Sequence, residues 1–278
     1  MRVAALQFDV TDDHAANLAH LERVLRLAAA REVDLVVLPE MWPGSFPKAR
    51  DGVEARVALD RASCERVREL TSELGIGVAG SALALEEGRL TNRMELFDAG
   101  ASLWHYDKVH LFSPTAEQEV FEAGVDAPRV VATRFGRVAG GVCYDLRFPE
   151  VFRPAFREGV ELLLVSAQWP TPRRDHWIAL CIARAIENQC FVVACNRTGT
   201  AEIGRRRRLL EFPGDSLVVS PLGEVLGAAS GGDEAHDGLV VADCDLDVAR
   251  RFRTRVPVQK DELPELYRRW LEPRTDDS

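Results

Sequence analysis

The chain has 278 residues, 46% of them hydrophobic, which is enough for a large buried core. Its 44 acidic against 35 basic side chains leave a formal charge of -9, which argues against general affinity for nucleic acid or an acidic membrane face and favours small molecules or protein partners. No apolar stretch approaches the ~20 residues of a spanning helix and no early segment has the pattern of a secretory leader, so no membrane association and a cytoplasmic location are expected.

In chain order, "RVAALQF" reads as a buried strand, after which Asp12 or Asp13 can cap a helix that keeps Leu18, Leu21, Leu25 and Ala28 on one face. "DLVVLPE" is the second strand, residues 54–74 a second helix, and "IGVAGSAL" a third strand. "LTNRMELFD" and "SLWHYDKV" form a hairpin about the turn at 98–100. Further strands are expected at 128–133, 137–142, 160–166, 190–195, 216–220 and 238–243, alternating with helices near 150–158 and 174–188, and "SPLGEV" makes a tight turn between strands. This alternation predicts a layered α/β architecture. No linker divides the chain, so one domain is expected over 1–270, with a disordered tail at 271–278.

Several motifs invite chemistry that their setting refuses. "GIGVAG" at 75–80 has the lettering of a dinucleotide loop, but helix precedes strand here, so it reads as a helix stop followed by a closely packed strand. The histidines at 14, 20, 105, 110, 176 and 236 lack paired ligand spacing, and no metal site is expected. The cysteines at 64, 143, 181, 190, 195 and 244 lie scattered in apolar or helical segments and read as reduced thiols. The arginines at 205–208 read as a solvated loop flanked by Glu202 and Glu211.

Three strand ends carry a stronger signal. Glu40 closes "DLVVLPE" directly after a proline that cannot continue the ladder, Lys108 follows "WHYD", and Cys143 follows "VAGGV". In α/β proteins the carboxyl ends of strands are where sites form. A nucleophilic thiol needs a proton acceptor and a nearby positive charge, and a carboxylate and an ammonium meet those needs. Taken singly, each of the three has an ordinary reading as a cap, a surface charge or a buried packing thiol.

These segments are recognisable. "LVVLPEMWPGSF", "YDKVHLFSP" and "GGVCYDLRFPE" resemble the glutamate, lysine and cysteine segments of the nitrilase (carbon-nitrogen hydrolase) superfamily, and the likeness runs from "VAALQF" to about "DLDVARRFR". The resemblance implies a four-layer αββα sandwich, pairing into homodimers or higher homo-oligomers, and a catalytic triad of Glu40, Lys108 and Cys143. "TAEQEVFEAG" is similar to the loop bearing a second active-site glutamate, which falls on Glu117, although Glu119 and Glu122 also allow an ordinary acidic loop. "SAQWPTPRRDHW" and "ARAIENQCFVVACNRTG" look most like the omega-amidase branch, which acts on 2-oxo acid monoamides. Sister activities on the same triad are deaminated glutathione amidase, nitrilase and N-carbamoyl amide hydrolase; true nitrilases usually show Cys-Trp-Glu where this chain has Cys-Tyr-Asp. A binding protein that keeps the fold without catalysis is the reading from a different class.

On this resemblance Glu40 takes the thiol proton of Cys143, the sulfur attacks the amide carbonyl, and Lys108 with the backbone N–H of Tyr144 holds the oxyanion. No cofactor is needed for such acyl transfer to water. A substrate carboxylate calls for a guanidinium, with Arg147, Arg173 and Arg174 as local candidates. Arg147 alternatively pairs with Asp145 or Glu150 to brace the nucleophile turn. Trp169 either faces the pocket or packs against Pro170 and Pro172 beneath a loop.

Overall fold

A computed structural model describes residues 1–47, 49–203, 208–229 and 237–271, with Arg208 described by its backbone alone. The chain forms β1 (Arg2–Leu6), α1 (His14–Ala30), β2 (Leu35–Val37), α2 (Val53–Leu74), β3 (Gly77–Glu86), β4 (Arg89–Asp98) and β5 (Ala101–Asp107). Then come β6 (Val131–Thr133), β7 (Gly136–Val142), α3 (Pro149–Arg157), β8 (Leu162–Ala167), α4 (Arg174–Asn188) and β9 (Phe191–Asn196). The last are β10 (Thr198–Ile203), β11 (Arg208–Pro213), β12 (Leu217–Val219), β13 (Val225–Ala228), β14 (Leu239–Asp243), α5 (Leu246–Arg255), α6 (Val258–Asp261) and α7 (Pro264–Leu271). Two six-stranded sheets result, ordered β14-β1-β2-β3-β4-β5 and β13-β12-β9-β8-β7-β6.

The apolar runs that read as strands are apolar because they are covered on both faces. In β1, Ala4 and Leu6 join a cluster with Leu21, Leu25 and Ala28 of α1 and Val67 and Leu70 of α2, while Val3 and Ala5 face the other sheet. Val36 and its neighbours Leu35 and Val37 in β2 divide in the same way. The sheets meet through residues such as Met94, Leu96, Leu162, Leu164 and Val193, and α3 and α4 pack outside the second sheet. The outcome is the αββα sandwich.

Local chemistry sets the element ends. Asp13 caps α1 by accepting from the Ala16 N–H at 3.0 Å. Gly75 ends α2 with a left-handed φ of 69°. Gly77 lets β3 approach closely, since a Cβ there would lie 2.4 Å from the Phe135 ring. "GIGVAG" is therefore a helix stop and a packed strand, not a phosphate loop. The pairing of β10 with β11 forms a separate two-stranded sheet that the sequence pattern does not announce. Residues 205–207 of the arginine run, His236 and the tail beyond Leu271 lie outside the described residues.

In the first sheet β2 runs parallel to β1 and β3, and in the second β7, β8 and β9 run parallel to one another, so each sheet gathers its strand carboxyl ends along one edge. Glu40 leaves β2, Cys143 leaves β7 and Gln168 leaves β8 at those ends.

Candidate active site

The seam between the sheets is stitched by hydrogen bonds at that edge. The Ser166 hydroxyl donates to the Leu38 carbonyl (2.8 Å), the Gln168 N–H donates to Glu40 Oε2 (2.9 Å), and Gln168 Nε2 donates to the Glu40 carbonyl (2.8 Å). Glu40 is wholly buried; its Oε1 also accepts from Asn92 Nδ2 and from Lys108 Nζ, each at 2.8 Å. Lys108 Nζ donates in turn to Glu117 Oε2 at 2.8 Å, and Glu117 is fixed by the Phe112 N–H at 3.0 Å. A single fully buried ammonium thus bridges two carboxylates contributed from distant parts of the chain.

The electrostatics follow from burial. Burial alone disfavours the Lys108 ammonium, but attraction to Glu117 and Glu40 outweighs it and holds its pKa well above the usual lysine value. Burial pushes the Glu117 carboxyl up, with Lys108 opposing. Burial, reinforced by the Glu40 charge, raises the Cys143 thiol well above its ordinary value, while Lys108 and the Gln168 backbone N–H favour the thiolate. This environment favours the thiol over the thiolate.

Cys143 sits at φ +48° at the head of a short 3-10 turn, a left-handed conformation uncommon for a side chain with a Cβ. Its placement beyond Gly140 and Gly141 has a steric reason. A Cβ at Gly141 would meet the Phe152 ring at 2.6 Å, so only glycine lets β7 run flush against α3 on its way to the turn.

Cys143 opens into a cavity of about 430 Å³, a volume that includes space open to solvent, together with Glu117, Tyr144, Arg147, Gln168, Trp169 and Arg173. Phe46, Phe112, Ile203 and Phe212 give it an apolar wall, so part of that wall is the β10–β11 hairpin. The structure brings Glu40, Lys108, Glu117 and Cys143 together and puts Tyr144, Arg147, Trp169 and Arg173 around the opening. Arg174 points elsewhere, paired with Asp215 at 2.6 Å and 2.9 Å. Arg147 does not brace the nucleophile turn: it stacks over Trp169 at 4.8 Å and contacts His176, because Asp145 is already saturated by other donors. Among the described residues no carboxylate pairs with Arg147 or Arg173. Trp169 both lines the cavity and is anchored, its indole N–H donating to the Arg173 carbonyl at 2.7 Å.

Asn92 and Gln168 hydrogen-bond to Glu40, and Arg197 to Gln168; no sequence motif singles them out. Arg197 is fully buried, reaching Gln168 Oε1 (3.2 Å), Ser45 Oγ (3.3 Å) and Asp9 (2.7 Å) while lying over Phe212. The one signal for them is a polar residue in or just after an apolar strand, as in "LVSAQ" and "VVACNR".

Fold and site together define a hydrolase acting on carbon-nitrogen bonds, and the chain belongs to the carbon-nitrogen hydrolase family, whose model matches residues 2–254. It is 35% identical to the 2-oxoglutaramate amidase of Bacillus subtilis (strain 168), over 95% of this chain and 98% of that one. It is 36% identical to the omega-amidase YafV of Escherichia coli (strain K12), over 90% and 91%. Among solved structures it resembles the NitN amidase from Nesterenkonia sp. AN1, with a TM-score of 0.82, 28% identity, and coverage of 98% of this chain and 100% of that one. One variant of that amidase carries acrylamide added to its active-site cysteine.

Proposed function

We propose that this protein is a cysteine-dependent amidase that cleaves the side-chain amide of a small 2-oxo acid monoamide to a carboxylate and ammonia. The observation that carries the reading is the convergence, from three strand ends, of a thiol that lines the cavity with a buried carboxylate and a buried ammonium hydrogen-bonded to each other.

Glu40 removes the Cys143 proton as the sulfur attacks the amide carbon, so no free thiolate has to form beforehand. The C=O electrons move onto oxygen, where Lys108 and the Tyr144 N–H stabilise them. Collapse re-forms the carbonyl and breaks the C–N bond while Glu40 gives its proton to the departing nitrogen, leaving ammonia and a thioester. Water then attacks with Glu40 again as base; the C–S bond breaks and the thiol regains its proton. Glu117 shares the Lys108 ammonium and orients it. Arg147 and Arg173 receive the substrate carboxylate, a role supported by two guanidinium groups at the cavity without a carboxylate partner among the described residues. Residues 1–270 act as one domain, in the cytoplasm, and the exposed Ile186 and Leu222 support assembly with further copies.

The test is ammonia release from a 2-oxo acid monoamide, a plain dicarboxylic monoamide and a neutral aliphatic amide. The first is turned over best; Arg173→Met and Arg147→Met raise KM for the acidic substrates about tenfold and leave the neutral one unchanged. Cys143→Ala abolishes turnover, and intact-mass measurement after acid quench finds the acyl group on Cys143. Wild-type ammonia release by Cys143→Ala sinks the reading.

A further inference from the structure

The site needs Lys108 and Cys143 at a fixed separation, yet they come from different sheets and no hydrogen bond joins their side chains. The link between them runs through Asp145. This carboxylate is wholly buried, and among the described residues no lysine or arginine pairs with it. Its Oδ2 accepts from the Val142 N–H (3.1 Å), immediately before the nucleophile, and from the Tyr106 hydroxyl (2.9 Å). Its Oδ1 accepts from the backbone N–H of His110 (3.0 Å) and faces the His110 ring Nδ1 (3.0 Å). The Tyr106 oxygen accepts in turn from the Val109 N–H at 3.3 Å. Residues 106, 109 and 110, on both sides of Lys108, are thus held by one carboxylate two positions beyond Cys143.

Both ends of this joint are constrained. The Cys143 backbone at φ +48° lies outside the broad allowed regions, so its turn persists only because the surroundings over-determine it. On the other side, the His110 ring stacks on Phe148 at a centroid distance of 3.6 Å, and Phe148 closes the nucleophile turn by donating its N–H to the Asp145 carbonyl at 2.9 Å. A buried carboxylate held by N–H and O–H donors is costly to leave partly satisfied, so loss of any arm makes the others rearrange.

Resting on the amidase reading above, we propose that Asp145, with Tyr106 and His110 as its arms, is a positioning residue that sets the separation of the oxyanion-stabilising ammonium from the attacking sulfur. Because a misplacement of about 1 Å in such a constellation costs on the order of 100-fold in rate, its effect falls on kcat and not on substrate affinity.

The experiment compares Tyr106→Phe, His110→Gln, Asp145→Asn and the double variant Tyr106→Phe/Asp145→Asn with wild type and Cys143→Ala, using steady-state ammonia release from one amide and thermal melting. Expected is a kcat loss of roughly tenfold for Tyr106→Phe and of roughly 100-fold for Asp145→Asn, with KM within about twofold and the double variant no slower than Asp145→Asn alone. If Asp145→Asn fails to fold, Tyr106→Phe and His110→Gln carry the same test. Unchanged kcat in folded variants with lowered melting temperature would overturn the proposal, as would losses confined to KM. An active Cys143→Ala would instead overturn the amidase mechanism itself, so the two failures are distinguishable.

Discussion

Replacing Lys108 by methionine keeps the length of the side chain and removes the charge that Glu40 and Glu117 share. Each N···O contact is 2.8 Å, and at an effective dielectric of ~20 a pair at that distance is worth about 6 kcal/mol before desolvation. Lys108 is completely buried, so the variant also escapes the cost of desolvating an ammonium. The balance left when one partner of a buried ion pair is deleted is about 3–5 kcal/mol of lost stability. Its pH dependence has a definite sign. Burial already holds the Glu117 carboxyl above the ordinary glutamate range with Lys108 present, and removing the ammonium raises it further. Between the unfolded and the folded value the folded variant binds more protons than the unfolded chain, so its stability falls as pH rises. Urea unfolding of both proteins from about pH 5 to pH 8 should therefore show a gap that widens toward pH 8. A gap below about 1 kcal/mol that is flat across this range would refute the claim that Lys108 neutralises two buried carboxylates.

Two further outcomes are expected from the geometry. Gly141→Ala puts a methyl group into the Phe152 ring and should lower stability by about 1–3 kcal/mol in urea titrations, with slower turnover because β7 delivers Cys143; a variant as stable as wild type would mean the contact relaxes freely. Since burial and the Glu40 charge favour the neutral thiol, the ultraviolet difference spectrum of wild type minus Cys143→Ala should lack a thiolate band at neutral pH and gain it only in alkali. A thiolate band at neutral pH would make Glu40 unnecessary as the base for attack.

The two main sheets are legible in the sequence because their inner strands, covered on both faces, are nearly continuous apolar runs bounded by turn residues, as in "DLVVLPE" and "ELLLVSAQ". Glu40 and Cys143 can be read for a similar reason, since each comes at the end of such a run; Lys108 follows the polar and largely exposed β5 and is legible only through the resemblance of "YDKVHLFSP". The β10–β11 hairpin cannot, because it stands outside both sheets and its sequence between Thr198 and Pro213 carries charge in place of apolar alternation. Buried Arg197 is equally hidden. Its burial depends on Asp9, which is 188 residues away in sequence, and no local pattern announces a partner at that distance. Proximity in sequence suggests an ion pair between Arg147 and Asp145, and the fold does not make it; Asp145 is reached first by Tyr106 and His110 from the opposite sheet edge.

The division of the site between the sheets has a consequence for the life of the chain before folding finishes. Glu40 and Lys108 belong to the first half of the polypeptide and the sulfur to the second, and they meet only across the stitched seam. On the proposed mechanism, a newly made chain with either half alone in place holds an acid–base pair without a nucleophile or a thiol without its proton acceptor. Amide hydrolysis is thereby withheld until assembly is complete.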